Sequence, residues 1–270
     1  MKIPDYHIHT ALCKHAGGSM EEYVLHAIKI DLDEIAFTDH IPLPDKFDIS
    51  HRMQIDQIEP YIIEIQRLQK KYPQIKILTG IEADYYEGFE YYLDNFLKQY
   101  PFDLVIMSVH FIKKWPNPNW VFAYNFPDKK LNEIYSDYLE AIERGIRTEL
   151  FDILGHFDLI KSKQQPLLLQ NQDQVKHALQ EAKKQNMAIE INTSGYRKEL
   201  DEPYPALNFL PLIEEIGLPV TFGSDAHTPE QVGFMSDEIR KRLAAFPLMK
   251  LARYRSRKLI TYSLTGEQAN

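Results

Sequence analysis

The sequence predicts an α/β fold built as a closed (β/α) barrel of about seven units, with a doubly wound open sheet as the alternative that pattern leaves standing. Three observations predict it. Short β-rich runs alternate with longer stretches of helical spacing, the alternation shows no composition break along the 270 residues, and seven of the ten histidines fall at or just after the ends of β-rich runs. Strand, helix, strand in repetition implies parallel strands joined by helical crossovers.

The β-rich runs lie at about 3–7, 34–37, 75–80, 104–108, 153–155, 188–192, 220–223 and 258–262. Between the first two, Ser19-Met-Glu-Glu22 has the form of a capping box, and Val24, Ala27 and Ile28 share the helix face behind it. Ile55, Ile58, Ile62, Ile65 and Leu68 keep helical spacing, with Pro60 leaving the start of that helix open. Residues 131–146, 174–186, 206–216 and 230–246 read as further helices. Two connections, 41–53 and 112–128, are long and rich in proline and aromatics, and such loops after strands are where barrels keep substrate contacts. No linker, low-complexity tract or internal repeat argues for a cut, so one domain over 1–270 is expected.

Composition narrows the function. The net charge is −8, from 31 Lys and Arg against 39 Asp and Glu, and the basic residues are scattered, which argues against a general nucleic-acid binder. The apolar runs, such as 104–109 and 166–169, are far shorter than the roughly 20 residues of a membrane helix. The opening MKIPDYHIHT lacks an apolar signal region, and Cys13 has no partner for a disulfide, so the expected place is the cytoplasm. Oligomeric state is not readable.

The histidines carry the chemistry. His7 and His9 end the first run, His15 follows, and His40, His110, His156 and His227 come after the second, fourth, fifth and seventh; Glu82 follows the third, and Asp225 precedes His227. In a parallel β/α architecture these ends share one rim. Residues two apart on a strand face the same side, so His7 and His9 can grip one cation together, as can Asp225 and His227 if the backbone stays extended there. Nine such groups exceed one ion and suit two or three divalent metals, with Zn, Mn, Fe and Co all compatible with imidazole-rich sites. His26, His51 and His177 fall in helices or a loop away from strand ends and read as ordinary histidines.

His7-Ile-His9, His15, Thr38-Asp39-His40, Gly80-Ile-Glu82, Ser108-Val-His110, Gly155-His156 and Ser224-Asp225-Ala-His227 resemble, in order, the motif set of the polymerase and histidinol phosphatase (PHP) family. Within it, Asp5-Tyr-His-Ile-His-Thr, Cys13-Lys-His-Ala, Glu82-Ala-Asp-Tyr85 and Glu190-Ile-Asn-Thr-Ser-Gly195 are more similar to the stand-alone histidinol-phosphate phosphatases than to the polymerase-linked domains. The resemblance implies a distorted (β/α)7 TIM-like barrel with a trinuclear metal site at the C-terminal ends of the strands. It also implies the ligand sets: His7, His9, Glu82 and Asp225 for one ion, Glu82 with His110 and His156 for a second, and His15, His40 and His227 for a third.

The expected reaction is hydrolysis of L-histidinol phosphate to L-histidinol and phosphate, in histidine biosynthesis. Two cations bridged by Glu82 would lower the pKa of a shared water and aim the hydroxide at phosphorus, so no covalent intermediate through Cys13 is required. Arg197, at the end of the sixth run, is the expected phosphate ligand, with Ser194 and Lys161 behind it. Asp39 and Asp158 are candidates for fixing imidazole tautomers, and Asp225, a metal-bound water or a nearby imidazole for protonating the leaving oxygen. Asp45, Asp48, Asp84, Tyr85, Trp115 and Trp120 lie in loops that could meet the ammonium and imidazole of the substrate. The alternatives are another phosphoesterase of the same family, acting on nucleotides, phosphotyrosine or general phosphomonoesters, and a metal-loaded module without turnover.

Overall fold

The computed structural model describes residues 2–114, 120–123, 130–161 and 166–264. Strands β1 (Glu34–Phe37), β2 (Lys76–Asp84), β3 (Leu104–Ser108), β4 (Ile153–Leu154), β5 (Ala188–Asn192) and β6 (Val220–Gly223) follow in chain order, each paired in parallel with the one before. β7 (Lys250–Arg255) meets β6 at the Val220–Leu251 pair and turns back into an antiparallel β8 (Lys258–Ser263).

The ladder is open between β1 and β6, and the N-terminal run fills that gap without forming a ladder of its own. Asp5 bridges both Ile35 and Phe222, and Ile8 bridges Ala226. On the β6 side Tyr6 N donates to Phe222 O at 3.0 Å and His9 N to Ala226 O at 2.9 Å; on the β1 side Ala36 N and Thr38 N donate to the carbonyls of Asp5 and Ile8 at 2.9 Å each. The result is a distorted barrel of seven parallel strands, as expected.

Helices α1 (Met20–Lys29), α2 (Ile58–Lys71), α3 (Glu90–Gln99), α4 (Leu131–Ile146), α5 (Leu167–Gln170), α6 (Gln172–Lys184), α7 (Leu210–Ile216) and α8 (Ser236–Leu243) make the crossovers. Pro60 sits at the third position of α2, where a missing N–H costs no helical hydrogen bond. The helix expected over 230–246 is cut to α8 because Gly233 and Met235 turn left-handed. Helix α3 was not anticipated, although Leu93, Phe96 and Leu97 give it a buried stripe. Among the described residues, no helix is long and apolar enough to cross a membrane.

Alternation along the strands divides the core in two. Ile77, Ile81 and Ala83 of β2 and Val105 and Met107 of β3 join the helices in the outer core. Leu78, Leu104, Ile106, Ile153 and Ala188 point the other way and pack with Tyr6, Ala36, Ala252 and Tyr254 inside the barrel. The hairpin β7–β8 thus plugs one end of the barrel, with Tyr254 Oη donating to Asp152 O at 2.7 Å. The same period of two carries the inward set on to Glu82 and Asp84, to Ser108, and to Glu190 and Asn192 at the other end.

The predicted capping box is formed. Ser19 N donates to Glu22 Oε2 at 2.6 Å, and Glu22 N to Ser19 Oγ at 3.4 Å. Ser19→Ala should destabilise the protein by about 1 kcal/mol, read as a shift of the urea midpoint at constant m.

Candidate metal centre

Glu82 lies at the middle of the polar end of the barrel, fully buried on β2. That strand runs to Asp84, past the expected end at 80, so Glu82 is held by strand pairing to β3. His156 Nε2 is 2.9 Å from Glu82 Oε1 and His110 Nε2 is 3.8 Å from it. Around Oε2 stand His40 Nδ1 at 2.7 Å, His7 Nε2 at 3.5 Å and His9 Nε2 at 3.6 Å. Asp225 Oδ1 is 3.1 Å from His9 Nε2 and 3.6 Å from His227 Nδ1. The His227 ring lies 4.1 Å from that of His9 and 4.7 Å from that of His15. All nine residues expected at the rim are therefore brought together.

Their donor atoms fall into groups whose members lie within 4.8 Å of one another: His7, His9 and Glu82; Glu82, His110 and His156; His15, His40 and His227. Two more groups add Cys13 to His9 and His227, and Asp84 to His40 and His110. One expectation about local backbone is corrected. Asp225 adopts φ of +54°, so the stretch to His227 is not extended, and a turn rather than strand alternation brings the two together.

Most of the imidazoles are aimed by a partner on the second ring nitrogen. His7 Nδ1 meets Glu190 Oε1 at 2.7 Å, His110 Nδ1 meets Asp84 Oδ1 at 2.7 Å, His15 Nδ1 meets Cys13 O at 2.7 Å, and His227 Nδ1 meets Asp225 O at 3.0 Å. In each case Nε2 is the nitrogen left for the centre. Glu190 Oε2 also accepts from His156 N at 2.8 Å, tying two ligand-bearing segments to one carboxylate. It fits only because Gly223 faces it, since a Cβ there would lie 1.9 Å from Glu190 Oε1. The sequence reading quotes Glu190 only inside a family motif, with no role, and does not mention Gly223, although the alternation Ala188, Glu190, Asn192 points Glu190 inward.

The electrostatics are those of a mixed cluster: burial lowers His7, His9 and His110, but the facing carboxylates of Glu190, Asp225, Asp84 and Glu82 raise all three above the ordinary imidazole range, His9 to about 9. Burial would raise the Glu82 carboxyl, but His40, His7 and His156 hold it well below the ordinary carboxylate range. Burial pushes His40 down to about 4 and His227 down to about 3, so both rings keep a free lone pair at neutral pH. His7 Nε2 and Glu82 Oε2 are buried without a hydrogen-bond partner. Two orphaned groups facing each other beyond hydrogen-bond length are what a shared cation would satisfy, so the residues present fit divalent metal.

Beside this cluster opens a cavity of about 480 Å³, whose wall includes His51, Arg52, Trp120, Phe122 and Lys198. The other residues expected near the substrate take up varied positions. Arg197 spends its guanidinium on Ser224 O and Asp225 O, both at 2.8 Å, and braces the loop that carries Asp225. Its neighbour Lys198 lines the cavity instead, with its ammonium 5.3 Å from the Phe122 ring. Lys161 is buried away from the cavity between Pro203 O at 2.5 Å and Glu202 at 3.0 Å. Ser194 is buried, with its amide on Asn192 Oδ1 and its hydroxyl unpartnered.

Asp39 lies 3.7 Å from His9 Nδ1 and accepts from Thr10 and from His40 N, a position consistent with orienting His9. Asp158 turns instead to Ala206 N at 3.0 Å and to Lys161. Asp48 and Asp84 are both engaged by Arg52, Asp45 borders a different hollow, and Tyr85 Oη donates to Glu90. Trp120 lines the cavity, whereas Trp115 lies outside the described residues. Among the histidines read as ordinary, His51 reaches the cavity; His177 pairs with Glu143 on the surface. Arg52, His51 and Lys198 gave no sequence signal beyond their place in or near long loops.

Comparison with known proteins follows the same lines. The family model described as PHP domain matches residues 5–194, and one described as PHP-associated matches 211–242. A probable histidinol-phosphatase of Deinococcus radiodurans is 37% identical over 231 residues, covering 85% of this chain and 88% of that protein. The histidinol-phosphatase of Bacillus subtilis is 29% identical over 270 residues, covering 90% of this chain and 100% of that protein. The solved structure of histidinol phosphate phosphatase from Lactococcus lactis, complexed with Zn, L-histidinol and phosphate, superposes with a TM-score of 0.80 at 24% identity, covering 96% of this chain and 98% of that one.

Proposed function

We propose that this chain, which belongs to the PHP domain family, is a histidinol-phosphatase that hydrolyses L-histidinol phosphate to L-histidinol and phosphate. The observation that carries the reading is the convergence of seven imidazoles with Glu82 and Asp225 at the floor of a cavity large enough for a small phosphomonoester. The relatives' names support the substrate.

We assign His7, His9, Glu82 and Asp225 to one divalent ion, Glu82, His110 and His156 to a second, and His15, His40 and His227 to a third. Zinc, manganese, iron or cobalt suits such a donor set, and two to three ions are expected. When bound, these ions supply Lewis acidity, neutralising charge on the phosphoryl oxygens and making water acidic enough to attack near neutral pH. The chain's own part is positional. Glu190, Asp84 and the carbonyls of Cys13 and Asp225 hold four rings with Nε2 toward the centre. Arg197 keeps the Asp225 loop in place; burial would raise the Asp225 carboxyl, but His7, His9 and His227 hold it well below its ordinary range, so it serves as an anionic ligand rather than as the acid that protonates the leaving oxygen. The apolar core runs from Ile3 to Leu251 through every unit, which supports one barrel domain as the working enzyme. A biosynthetic hydrolase with a single buried Cys13 belongs in the cytoplasm.

The test is phosphate release by purified, metal-analysed protein. We expect kcat/KM for histidinol phosphate to exceed that for p-nitrophenyl phosphate by at least about 100-fold, a margin typical of sites that hydrogen-bond their substrate. Activity should vanish on chelation and return with a divalent ion. Comparable rates on both esters would mean a general phosphatase.

A further inference from the structure

We infer that His51, which lines the cavity, is a specificity-determining residue whose Nε2 accepts a hydrogen bond from an N–H group on the leaving-group end of the substrate. This rests on the histidinol-phosphatase reading and extends it to the part of the ligand remote from phosphorus.

His51 belongs to the loop between β1 and α2, outside the cluster around Glu82, and its side chain is 40% exposed where those of His7 and His9 are buried. Its ring is nonetheless firmly placed. Nδ1 lies 2.6 Å from Asp48 Oδ1 and 3.2 Å from Ser50 Oγ, and the ring centroid is 5.4 Å from that of Trp120. Asp48 cannot swing away, because Arg52 Nε and Nη2 hold its Oδ2 at 3.1 and 2.9 Å. Arg52 is in turn buried and anchored by Nη1 to Asp84 Oδ2 at 2.9 Å and to Ile41 O at 3.1 Å. The exposed imidazole thus hangs from a buried ionic frame.

The frame decides the ring's polarity. A carboxylate only accepts, so the neutral ring carries its proton on Nδ1 toward Asp48 and a lone pair on Nε2. Among the described residues, the hydrogen bonds of this ring both fall on Nδ1. The ring sits 5.8 Å from that of His15, one side chain beyond the candidate metal ligands. A phosphate dianion presents only acceptors and does not suit a lone pair flanked by the Asp48 charge. An ammonium or an imidazole N–H does, and histidinol carries both, a few bonds from its phosphate ester.

The experiment uses the metal-reconstituted full chain with His51→Phe, which keeps a flat ring against Trp120, and His51→Gln, which can restore an acceptor. The readout is the ratio of kcat/KM for histidinol phosphate to that for p-nitrophenyl phosphate, which has no N–H donor, with metal content measured on each protein. The expected result is a fall in that ratio of about tenfold or more for His51→Phe, expressed as a higher KM for histidinol phosphate, and a smaller fall for His51→Gln. Parallel losses on both esters, or an unchanged ratio, would overturn the inference while leaving the phosphatase reading intact. A wild-type enzyme with no preference for histidinol phosphate would overturn both.

Discussion

Glu82→Gln should abolish phosphate release, with loss well beyond the roughly 10–100-fold that follows removal of an outer partner of a metal-binding histidine. The substitution keeps the shape of the side chain and removes its charge. Glu82 stands between His156 on one oxygen and His40, His7 and His9 on the other, so it belongs to two of the candidate ligand groups. An amide in its place offers a single neutral oxygen among imidazoles, and neighbouring cations would then repel without an intervening anion. Metal analysis should show at least one equivalent fewer than in the wild type, while the far-ultraviolet circular dichroism stays unchanged because the barrel is closed by main-chain pairing. A variant retaining full metal content and activity within about tenfold of wild type would remove Glu82 from the centre of the mechanism.

Arg52→Met should cost the fold roughly 3–5 kcal/mol, the range found when one partner of a buried ion pair is removed. The guanidinium is almost wholly buried, and Asp84, which it pairs with at 2.9 Å, is entirely so. Burial would raise the Asp84 carboxyl, but Arg52 and His110 hold it far below its ordinary range. Methionine fills the volume and leaves that charge facing His110 alone. The denaturant midpoint should fall at constant m, and turnover should drop as well, because Asp84 aims His110. Adding Asp84→Asn should recover part of the lost stability but none of the turnover, since it removes the stranded charge and not the misplaced imidazole. Equal stability of wild type and Arg52→Met would show that the buried pair contributes nothing net.

The rim was legible in the sequence because strand ends are. An apolar β-rich run that stops on a histidine or a carboxylate declares both the strand and the face on which its last residue lies, as at Phe37-Thr-Asp-His40 and at Met107-Ser-Val-His110. Even β4, reduced to Ile153 and Leu154, delivers His156 to the right place. Direction within a loop is not written in any period. Arg197 and Lys161 follow strands as expected, yet their long side chains turn to backbone carbonyls rather than to the cavity. Arg52 and His51 come from a loop whose course depends on ion pairs with Asp48 and Asp84, contacts that no local pattern announces. The antiparallel hairpin was half seen: β8 has a clear alternation, whereas β7, with Arg253 and Arg255 bound to Glu34, reads as too charged for a strand.

The insertion of residues 5–9 between β1 and β6 also governs the order in which this protein can mature. Ser224 N donates to Asp5 Oδ1 across 219 positions, and His9 meets Asp225 over almost the same span. A nascent chain therefore leaves its earliest imidazoles waiting on Asp225, and loop closure over such a distance is slow. The N-terminal run cannot be pinned on its far side until residues 222–233 have been made, so a ribosome stalled before them holds a barrel with one seam unsewn.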